Sequence, residues 1–523
     1  MSLARDITTV GSATLVSRLL AFARDVGIAA MLGAGALSDA YFAAAQIPNL
    51  FRRLLADGAL NAAFAPMWLR QRANGDDAAR RFGEGVLGTM LAALGIAAVA
   101  GILFAPLIIR LLAPGFGTDG ERFGIAVELV RLSLPYIALA GVGAVAAAIL
   151  NAEGRVGAAA FAIAAFNVVL VAAVIVIFAI GSGATRLSAY ILAASFVVAG
   201  TVQLILLVRG LTSLPRRPRH VKPSTSHDVR RFYSRAIPGV IAAGTPQLML
   251  IAGTIIASAS PAAVSWLTYA NRLYELPLGV ITAAIATVLA PRIAASFRAQ
   301  TSSSIALAQA RTFEIALGLA LPAAVGMALL AQPIARVLFE RGAFGPTDSV
   351  AVAAALMAIA CGLPGHALEK AFGAISFSHE DTRAPMVSGL AGIAIATVAA
   401  VLLFPRYGHV GIAAAIALSG WIGAALMGIV LMRRRWIACE PSVVRRLAGI
   451  VLAAAIMGAV VAGGQALFAN ASTGSALARA AILAVLIAAG LAAYLASLHV
   501  LGIAPLRDLI RAAKTPSDTP LAP

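Results

Sequence analysis

Six basic side chains lie inside long apolar stretches of this sequence instead of in the loops between them. They are Arg18, Arg24, Arg52, Arg53, Lys370 and Arg272. A guanidinium stays charged at any relevant pH, and its planar fork of donors matches a phosphate bidentately. A charge at the centre of a membrane helix costs roughly 2.5–3.5 kcal/mol on insertion scales. The set therefore predicts a cationic cavity that binds an anionic ligand.

Carboxylates accompany these arginines at helical spacing. Arg18 and Asp25 are seven residues apart, so they share one face of a helix that also carries Ser17. Arg272 and Glu275 are three residues apart and are therefore neighbours on a later helix. Two interpretations stay open for each arginine: it binds the ligand, or it pairs with a carboxylate and holds helices together.

A polar stripe runs along the second apolar stretch. Asp39, Gln46 and Arg53 recur every seven residues, and Arg52 lies about 100° away on the same helix. Pro48 stands between them and can kink the helix. This stripe is predicted to face the cavity.

The elements that must position these residues are membrane-spanning helices. The chain of 523 residues is 61% hydrophobic and only 12% charged, whereas soluble domains carry about 25% charged residues. Apolar runs of about twenty residues, the length of a transmembrane helix, recur along it. The predicted fold class is an all-α polytopic membrane protein with about fourteen transmembrane helices. The predicted spans are 8–33, 37–65, 82–112, 125–150, 157–181, 187–208, 234–258, 262–290, 311–332, 347–375, 385–404, 410–432, 446–469 and 478–501.

The net charge of +18 is concentrated in alternate loops of this predicted topology. Because Lys and Arg are enriched in cytoplasmic loops, the bias places both termini in the cytoplasm. No basic, aromatic-rich soluble module exists, so nucleic acid is not a predicted partner. The two cysteines and six histidines show no metal-type spacing, and no P-loop is present. We predict a transporter and no enzyme, with no cofactor.

A weak internal repeat divides the chain. The sequence R-L-L at 110–112, followed by G-F-G-T-D, resembles R-V-L at 336–338, followed by A-F-G-P-T-D. Parallel repeats of this kind occur in transporters that bind substrate between two halves. We predict an N-lobe at 1–213, a basic linker and C-lobe at 214–437, two additional helices at 438–504, and a cytoplasmic tail at 505–523.

Two motifs resemble those of the lipid II flippase family (MurJ/MviN), which belongs to the MOP exporter superfamily. The segment S-R-L-L-A-F-A-R-D at 17–25 resembles S-R-x-x-G/A-F-x-R-D of that family. The segments D-A-Y-F at 39–42 and P-N-L-F-R-R at 48–53 resemble its D-A-F-F … P-N-x-x-R-R signature. The stretch from Val264 to Pro277 is a further match, although Asn271 stands where an aspartate is common. The seventh predicted span, 234–258, has no carboxylate between Ala236 and Ser258, so no coupling ion is predicted.

The resemblance implies alternating access by two six-helix lobes in the bacterial inner membrane, for peptidoglycan synthesis. It implies that lipid II, an undecaprenyl-diphosphate-linked disaccharide-pentapeptide, enters from the cytoplasmic leaflet and leaves at the periplasmic leaflet. The additional helix pair would form a groove for the isoprenoid tail. By motif match, the cavity residues are Ser17, Arg18, Arg24, Asp39, Arg52, Arg272 and Glu275. Asp25, Asp39 and Glu275 are expected to hold the arginines when the cavity is empty.

Other functions stay open on the sequence alone. An exporter of another lipid-linked oligosaccharide or of drugs would belong to the same superfamily, but an exporter of cationic drugs should show an excess of buried carboxylates. A non-transporting scaffold of the cell-wall synthesis machinery is a different class. Membrane lipids are expected partners in every case.

Overall fold

The computed structural model describes residues 3–56, 59–118, 120–214, 217–218, 220–286, 302–437, 441–468 and 475–503, and no β-strand occurs among them. The predicted tail at 505–523 lies outside these residues. The first nine helices are α1 (Leu3–Leu32), α2 (Ala36–Ala56), α3 (Ala59–Ala73), α4 (Asp76–Leu103), α5 (Ala105–Leu112), α6 (Glu121–Ser133), α7 (Tyr136–Ala152), α8 (Val156–Ala179) and α9 (Arg186–Thr212). The later ones are α10 (His227–Ala257), α11 (Ala263–Ala284), α12 (Ser302–Leu329), α13 (Ala331–Phe339), α14 (Pro346–Ala360), α15 (Leu363–Ser378), α16 (Arg383–Arg433), α17 (Pro441–Leu467) and α18 (Ala476–Val500).

Apolar helices dominate this set. Nine segments of the described chain are long and apolar enough to cross a membrane, and each of the fourteen predicted spans overlaps a helix. The helices α1, α2 and α11 are not among the nine, because they carry the predicted site residues, whose charges interrupt the apolar sequence. The prediction of an all-α, multi-pass membrane protein is confirmed.

Several predicted spans are divided by breaks that repeat along the chain. The predicted span 125–150 is divided near Pro135 into α6 and α7, and 347–375 is divided near Pro364 into α14 and α15. Proline lacks an N–H and clashes with the preceding turn, which explains both breaks. In each repeat a long helix is also followed by a short one, α5 after α4 and α13 after α12. The order of elements thus follows the sequence repeat.

Contacts divide the chain into two compact units. The first contains Met1–Ser265 and Phe339–Asp348, and the second contains Trp266–Leu338 and Ser349–Pro523. These units follow packing within each part, whereas the predicted lobes follow the repeat, so the lobe boundaries stay a prediction.

An aromatic cluster lies in the core of the first unit. Phe64 stacks on Trp68 and Phe82 with centroid separations of 5.7 and 5.5 Å, and Phe232 meets Phe64 edge to face. The indole N–H of Trp68 donates to Glu153 at 2.8 Å, which satisfies the polar edge of a fully buried ring. This cluster holds α3, α4 and α10 together.

In the second unit, α17 and α18 pack on α12. The buried Tyr494 hydroxyl donates to the Gly318 carbonyl at 2.7 Å. Glu314 is 1% exposed and accepts a hydrogen bond from Arg446 at 2.9 Å, with Arg311 at 3.6 Å. Because a buried carboxylate requires paired donors, this ion pair fixes α17 against α12.

Candidate functional site

Arg24 and Asp25 form a buried ion pair on α1. The Nε and Nη2 atoms of Arg24 donate to Oδ1 of Asp25 at 2.9 and 2.7 Å. The two residues are 8% and 7% exposed. One edge of the guanidinium therefore binds the neighbouring carboxylate, and Nη1 has no partner among the described residues.

The other two predicted residues of α1 have different surroundings. Ser17 accepts a hydrogen bond from Asn167 of α8 at 2.8 Å, so its hydroxyl takes part in packing α1 on α8. Gly27 continues this contact, because its backbone lies directly against Val174. Arg18 is exposed and makes no hydrogen bond or ion pair with the described residues. Its guanidinium is available to a ligand.

The predicted polar stripe on α2 faces other helices over its first half. Gln46 donates a hydrogen bond to the Thr254 hydroxyl of α10. At Gln46 the stripe therefore packs against another helix and does not line an open cavity. Arg52 and Arg53 are half-buried in the last turns of α2.

Asp39 has a role that the sequence did not predict. Its carboxylate accepts hydrogen bonds from the backbone N–H groups of Ala262 and Ser265 at 2.8 and 2.9 Å, and from the Ser265 hydroxyl at 2.6 Å. Arg122 lies near it, with Nη1 at 3.8 Å from Oδ2. Among the described residues Asp39 contacts none of the predicted ligand-binding arginines. The expectation that Asp39 holds them is therefore corrected: this carboxylate satisfies main-chain donors at the N-terminal end of α11.

A small cluster surrounds Glu275 on α11. Arg272 donates to Oε2 of Glu275 at 3.4 Å, and the side-chain amide of Asn271 donates to Oε1 at 3.1 Å. The side chains of Arg272 and Glu275 are 20% and 30% exposed. Asn271 fits here because an aspartate four residues before Glu275 would place like charges together. In the sequence Asn271 is only a departure from the family motif, whereas in the structure it is a hydrogen-bond partner of Glu275.

A buried polar contact beside this cluster was missed. The Tyr274 hydroxyl lies 2.7 Å from Nδ1 of His366, which ties α11 to α15. The His366 Nε2 atom lies 3.4 Å from the Ser419 hydroxyl of α16. On the next turn of α15, the Glu369 carboxylate packs against Gly423. No sequence spacing could connect a tyrosine and a histidine 92 residues apart.

The predicted residues form two arginine–carboxylate pairs of the same kind. On α1 and on α11, an arginine is paired with a carboxylate of its own helix, which lowers the cost of a buried cation. No cluster of three or more His, Cys, Asp or Glu side chains that could hold a metal ion occurs in the described part of the chain. The chemistry that these side chains offer is reversible binding of an anion.

Comparison with known proteins identifies relatives along nearly the whole chain. Residues 28–482 match the model of a family described as Lipid II flippase MurJ. A probable lipid II flippase MurJ of Rhizobium meliloti (strain 1021) is 38% identical over 518 residues, covering 98% of this chain and 97% of the relative. A probable lipid II flippase MurJ of Rhizobium tropici is 38% identical over 464 residues, covering 88% of this chain and 87% of the relative.

Solved structures show the same fold. A lipid II flippase MurJ in an inward closed conformation matches with a TM-score of 0.76 and 21% identity, over 96% of this chain and 99% of that chain. An inward-facing multidrug resistance MATE family transporter of the MOP superfamily matches with a TM-score of 0.64 and 16% identity, over 80% and 94%. At these identities the likeness establishes the fold alone. The family model and the two Rhizobium relatives go further, and they show that the chain belongs to the lipid II flippase MurJ family.

Proposed function

We propose that this protein moves lipid II from the cytoplasmic to the periplasmic leaflet of the bacterial inner membrane, for cell-wall synthesis. The observation that carries the proposal is the family match over residues 28–482, which includes Asp39, Arg52, Arg272 and Glu275. The Rhizobium meliloti relative extends the similarity across 98% of the chain and so includes α1. The proposed activity is transport without covalent chemistry.

The diphosphate of the cargo binds to the arginines in this proposal. Arg24 uses Nε and Nη2 for Asp25, so Nη1 can still donate to a phosphate oxygen. Arg18 contributes an exposed guanidinium, and Arg52 a half-buried one. Arg272, on α11, is the fourth proposed ligand of the diphosphate.

The carboxylates make release feasible. A set of unpaired buried guanidinium groups would bind a diphosphate too tightly to let it leave, and would be costly when empty. Asp25 and Glu275 compensate Arg24 and Arg272 at 2.7 and 3.4 Å, so cargo phosphate competes with an existing partner. Binding is thereby kept moderate, as a carrier requires.

The proposed carrier alternates between the two sides of the membrane by movement of two lobes, residues 1–213 and 214–437. The helix pair in 438–504 would hold the isoprenoid tail, because it presents an apolar surface with Leu467 and Leu477 84% and 81% exposed. Both termini are proposed to be cytoplasmic, on the charge bias of the loops. Proteins of cell-wall synthesis are proposed as neighbours of the flippase.

Depletion tests the proposal directly. Cells whose only lipid II flippase is this chain should accumulate lipid II in the cytoplasmic leaflet when its expression is stopped. The measurement is the fraction of lipid II that an external, membrane-impermeant reagent modifies. If that fraction does not fall while another lipid-linked saccharide accumulates, the cargo is a different one.

Variants separate transport from folding. Arg24→Ala and Arg52→Ala should fail to support growth of flippase-depleted cells while inserting in the membrane at normal levels. Arg209→Ala, at the exposed end of α9, is the matched control and should support growth. Full complementation by both Arg24→Ala and Arg52→Ala would remove these arginines from the binding cavity.

A further inference from the structure

A cavity of about 390 Å³ lies in the second unit, and no predicted site residue lines it. Its polar lining consists of Gln332, Arg336, Gln465 and Arg479. Leu483 and Leu486 are among the apolar residues that complete it. Two cationic side chains thus share one small and mainly apolar chamber.

The cavity lies where three membrane spans end. The span in α12 ends at Leu329, the span in α17 ends at Leu467, and α18 begins at Ala476. The Gln465 side chain donates to the Leu329 carbonyl at 2.9 Å, which fastens the ends of α12 and α17 together. Helix ends of membrane spans lie at the depth of the lipid headgroups. The cavity therefore opens where phosphate groups are concentrated.

The electrostatics of the cavity favour an anion. Arg336 and Arg479 are half-buried, and no acidic residue lines the cavity in the described part of the chain. The helices α13 and α18 both begin at this end, and the positive end of a helix dipole adds to the attraction for a phosphate. The two arginines, the helix dipoles and the position of the cavity at headgroup depth all favour binding of a phosphate group.

The apolar lining indicates what is attached to the phosphate. Met357, also in the lining, is 52% exposed, and Leu477 near the start of α18 is 81% exposed. Because Met357 is both part of the lining and half exposed, the apolar lining reaches the surface of the unit. A phosphate and the first carbons of its chains fit about 390 Å³, whereas a disaccharide-pentapeptide head group is several times larger than a phosphate.

We propose that this cavity binds the phosphate group of an anionic glycerophospholipid from the surrounding membrane, with Arg336 and Arg479 as its ligands. The lipid is a bound partner of the protein and is not cargo. This binding site goes beyond lipid II transport and does not rest on it, because no predicted cargo-binding arginine lines the cavity.

Native mass spectrometry of the purified, delipidated full chain tests the site. The detergent-solubilised protein is titrated with phosphatidylglycerol, with phosphatidylcholine, with soluble glycerol phosphate and with undecaprenyl diphosphate. Wild-type protein should bind one phosphatidylglycerol more tightly than phosphatidylcholine, and should not retain glycerol phosphate, which lacks the chains. Equal affinity for the two phospholipids would overturn the proposal.

Substitutions of the lining residues test whether phosphatidylglycerol binds in this cavity. Arg336→Gln and Arg479→Gln should each weaken phosphatidylglycerol binding about fivefold, the effect of one cationic side chain near a membrane surface. Arg110→Gln is the matched control, because Arg110 is the repeat counterpart of Arg336, is exposed, and does not line the cavity. Gln332→Glu, at an exposed lining position, should weaken binding as well, and it leaves both arginines in place if their substitution impairs folding.

Three results would contradict the assignment. Unchanged phosphatidylglycerol affinity in Gln332→Glu and in either arginine variant would show that the lipid binds elsewhere. An equal loss in Arg110→Gln would show a general effect of charge. Undecaprenyl diphosphate that displaces phosphatidylglycerol, and loses affinity in the same variants, would identify the cavity as a cargo site. None of these measurements involves transport, so failure of the lipid-binding proposal would not contradict the flippase proposal.

Discussion

The carboxylate of Asp39 binds both the main chain and the side chain of Ser265, a residue 226 positions further along the sequence. The Ser265 N–H donates to Oδ1 at 2.9 Å, and its hydroxyl donates to the same atom at 2.6 Å. Both residues have no exposed surface. A carboxylate with three buried donors is well satisfied, so the start of α2 is firmly attached to the N-terminal end of α11.

Asp39→Asn tests this attachment. The amide keeps one acceptor oxygen, but its NH₂ group would face the Ala262 N–H, which is now 2.8 Å from Oδ2. Two donors left facing each other in a buried site should destabilise the protein by about 1–3 kcal/mol. We expect a lower thermal midpoint of the purified protein in detergent. Asp77→Asn, whose side chain is 75% exposed, is the control and should leave the midpoint unchanged.

The Arg24–Asp25 pair permits a test that separates stability from transport. Arg24→Ala removes a partner of the buried Asp25 carboxylate, and breaking a buried pair from one side costs about 3–5 kcal/mol. The double variant Arg24→Ala, Asp25→Ala removes both charges, so its thermal midpoint should recover part of that loss. Growth of flippase-depleted cells should not recover, because the proposed phosphate ligand is still missing. Recovery of growth together with stability would make Arg24 a structural residue.

Local patterns were enough to predict the helices and one pair within a helix. The Arg272–Glu275 contact at 3.4 Å follows from a spacing of three residues. On α1, by contrast, the spacing placed Asp25 on the face of Arg18, whereas Asp25 binds the adjacent Arg24. The breaks near Pro135 and Pro364 were not predicted, although the chemistry of proline explains them. Apolar length predicted the spans. These properties depend only on neighbours in the chain.

Contacts between distant segments could not be predicted in the same way. Asp39 and Ser265, or Tyr274 and His366, meet because whole helices pack, and hydroxyl or imidazole side chains at such distances leave no periodic signal. The polar stripe on α2 shows the limit well. Its heptad spacing indicated a polar face directed at the cavity, but spacing alone does not distinguish a cavity wall from a helix contact such as Gln46 with Thr254.

Gly342 makes a close backbone contact with α1 that a side chain would prevent. Its φ is +60°, and a Cβ atom added there would lie 2.2 Å from the Ala30 carbonyl oxygen. The next residue, Ala343, donates its N–H to that same oxygen at 2.8 Å. Gly342→Ala should therefore strain the backbone and also separate the segment 339–348 from α1.

Gly181→Ala is the control for Gly342→Ala. Gly181 follows the end of α8, where its φ is +65° and the Ser182 N–H donates to the Ile177 carbonyl, the arrangement of a left-handed glycine at a helix C-terminus. Alanine there carries a conformational cost of roughly 1–2 kcal/mol, but nothing lies within 4 Å of the added Cβ. We expect the thermal midpoint to fall further in Gly342→Ala than in Gly181→Ala. Equal shifts would mean that the strained backbone accounts for the whole effect and that the contact with Ala30 adds nothing.

The last prediction concerns pH and the ring of His379, which lies just beyond the end of α15. It stacks on Trp436 with centroids 3.9 Å apart and planes 7° apart, and Arg434 lies over the same indole at 4.7 Å. Burial lowers the pKa of His379 below its ordinary value of 6.5. As the pH falls below 6.5, the unfolded chain therefore takes up this proton before the folded protein does. The stability contributed by the neutral ring is present above that pH and is lost as the pH decreases.

His379→Phe keeps an aromatic ring in the stack but cannot be protonated. The thermal midpoint of the wild-type protein should fall more steeply than that of His379→Phe between pH 6.5 and pH values at which His379 is protonated in the folded state. His227→Phe, at a side chain 84% exposed, should keep the wild-type slope. Identical slopes for wild type and His379→Phe would show that protonation of this ring does not affect folding. A steeper slope in the variant would contradict the direction of the pKa shift itself, because removal of a group whose pKa is lowered on folding can only flatten the curve.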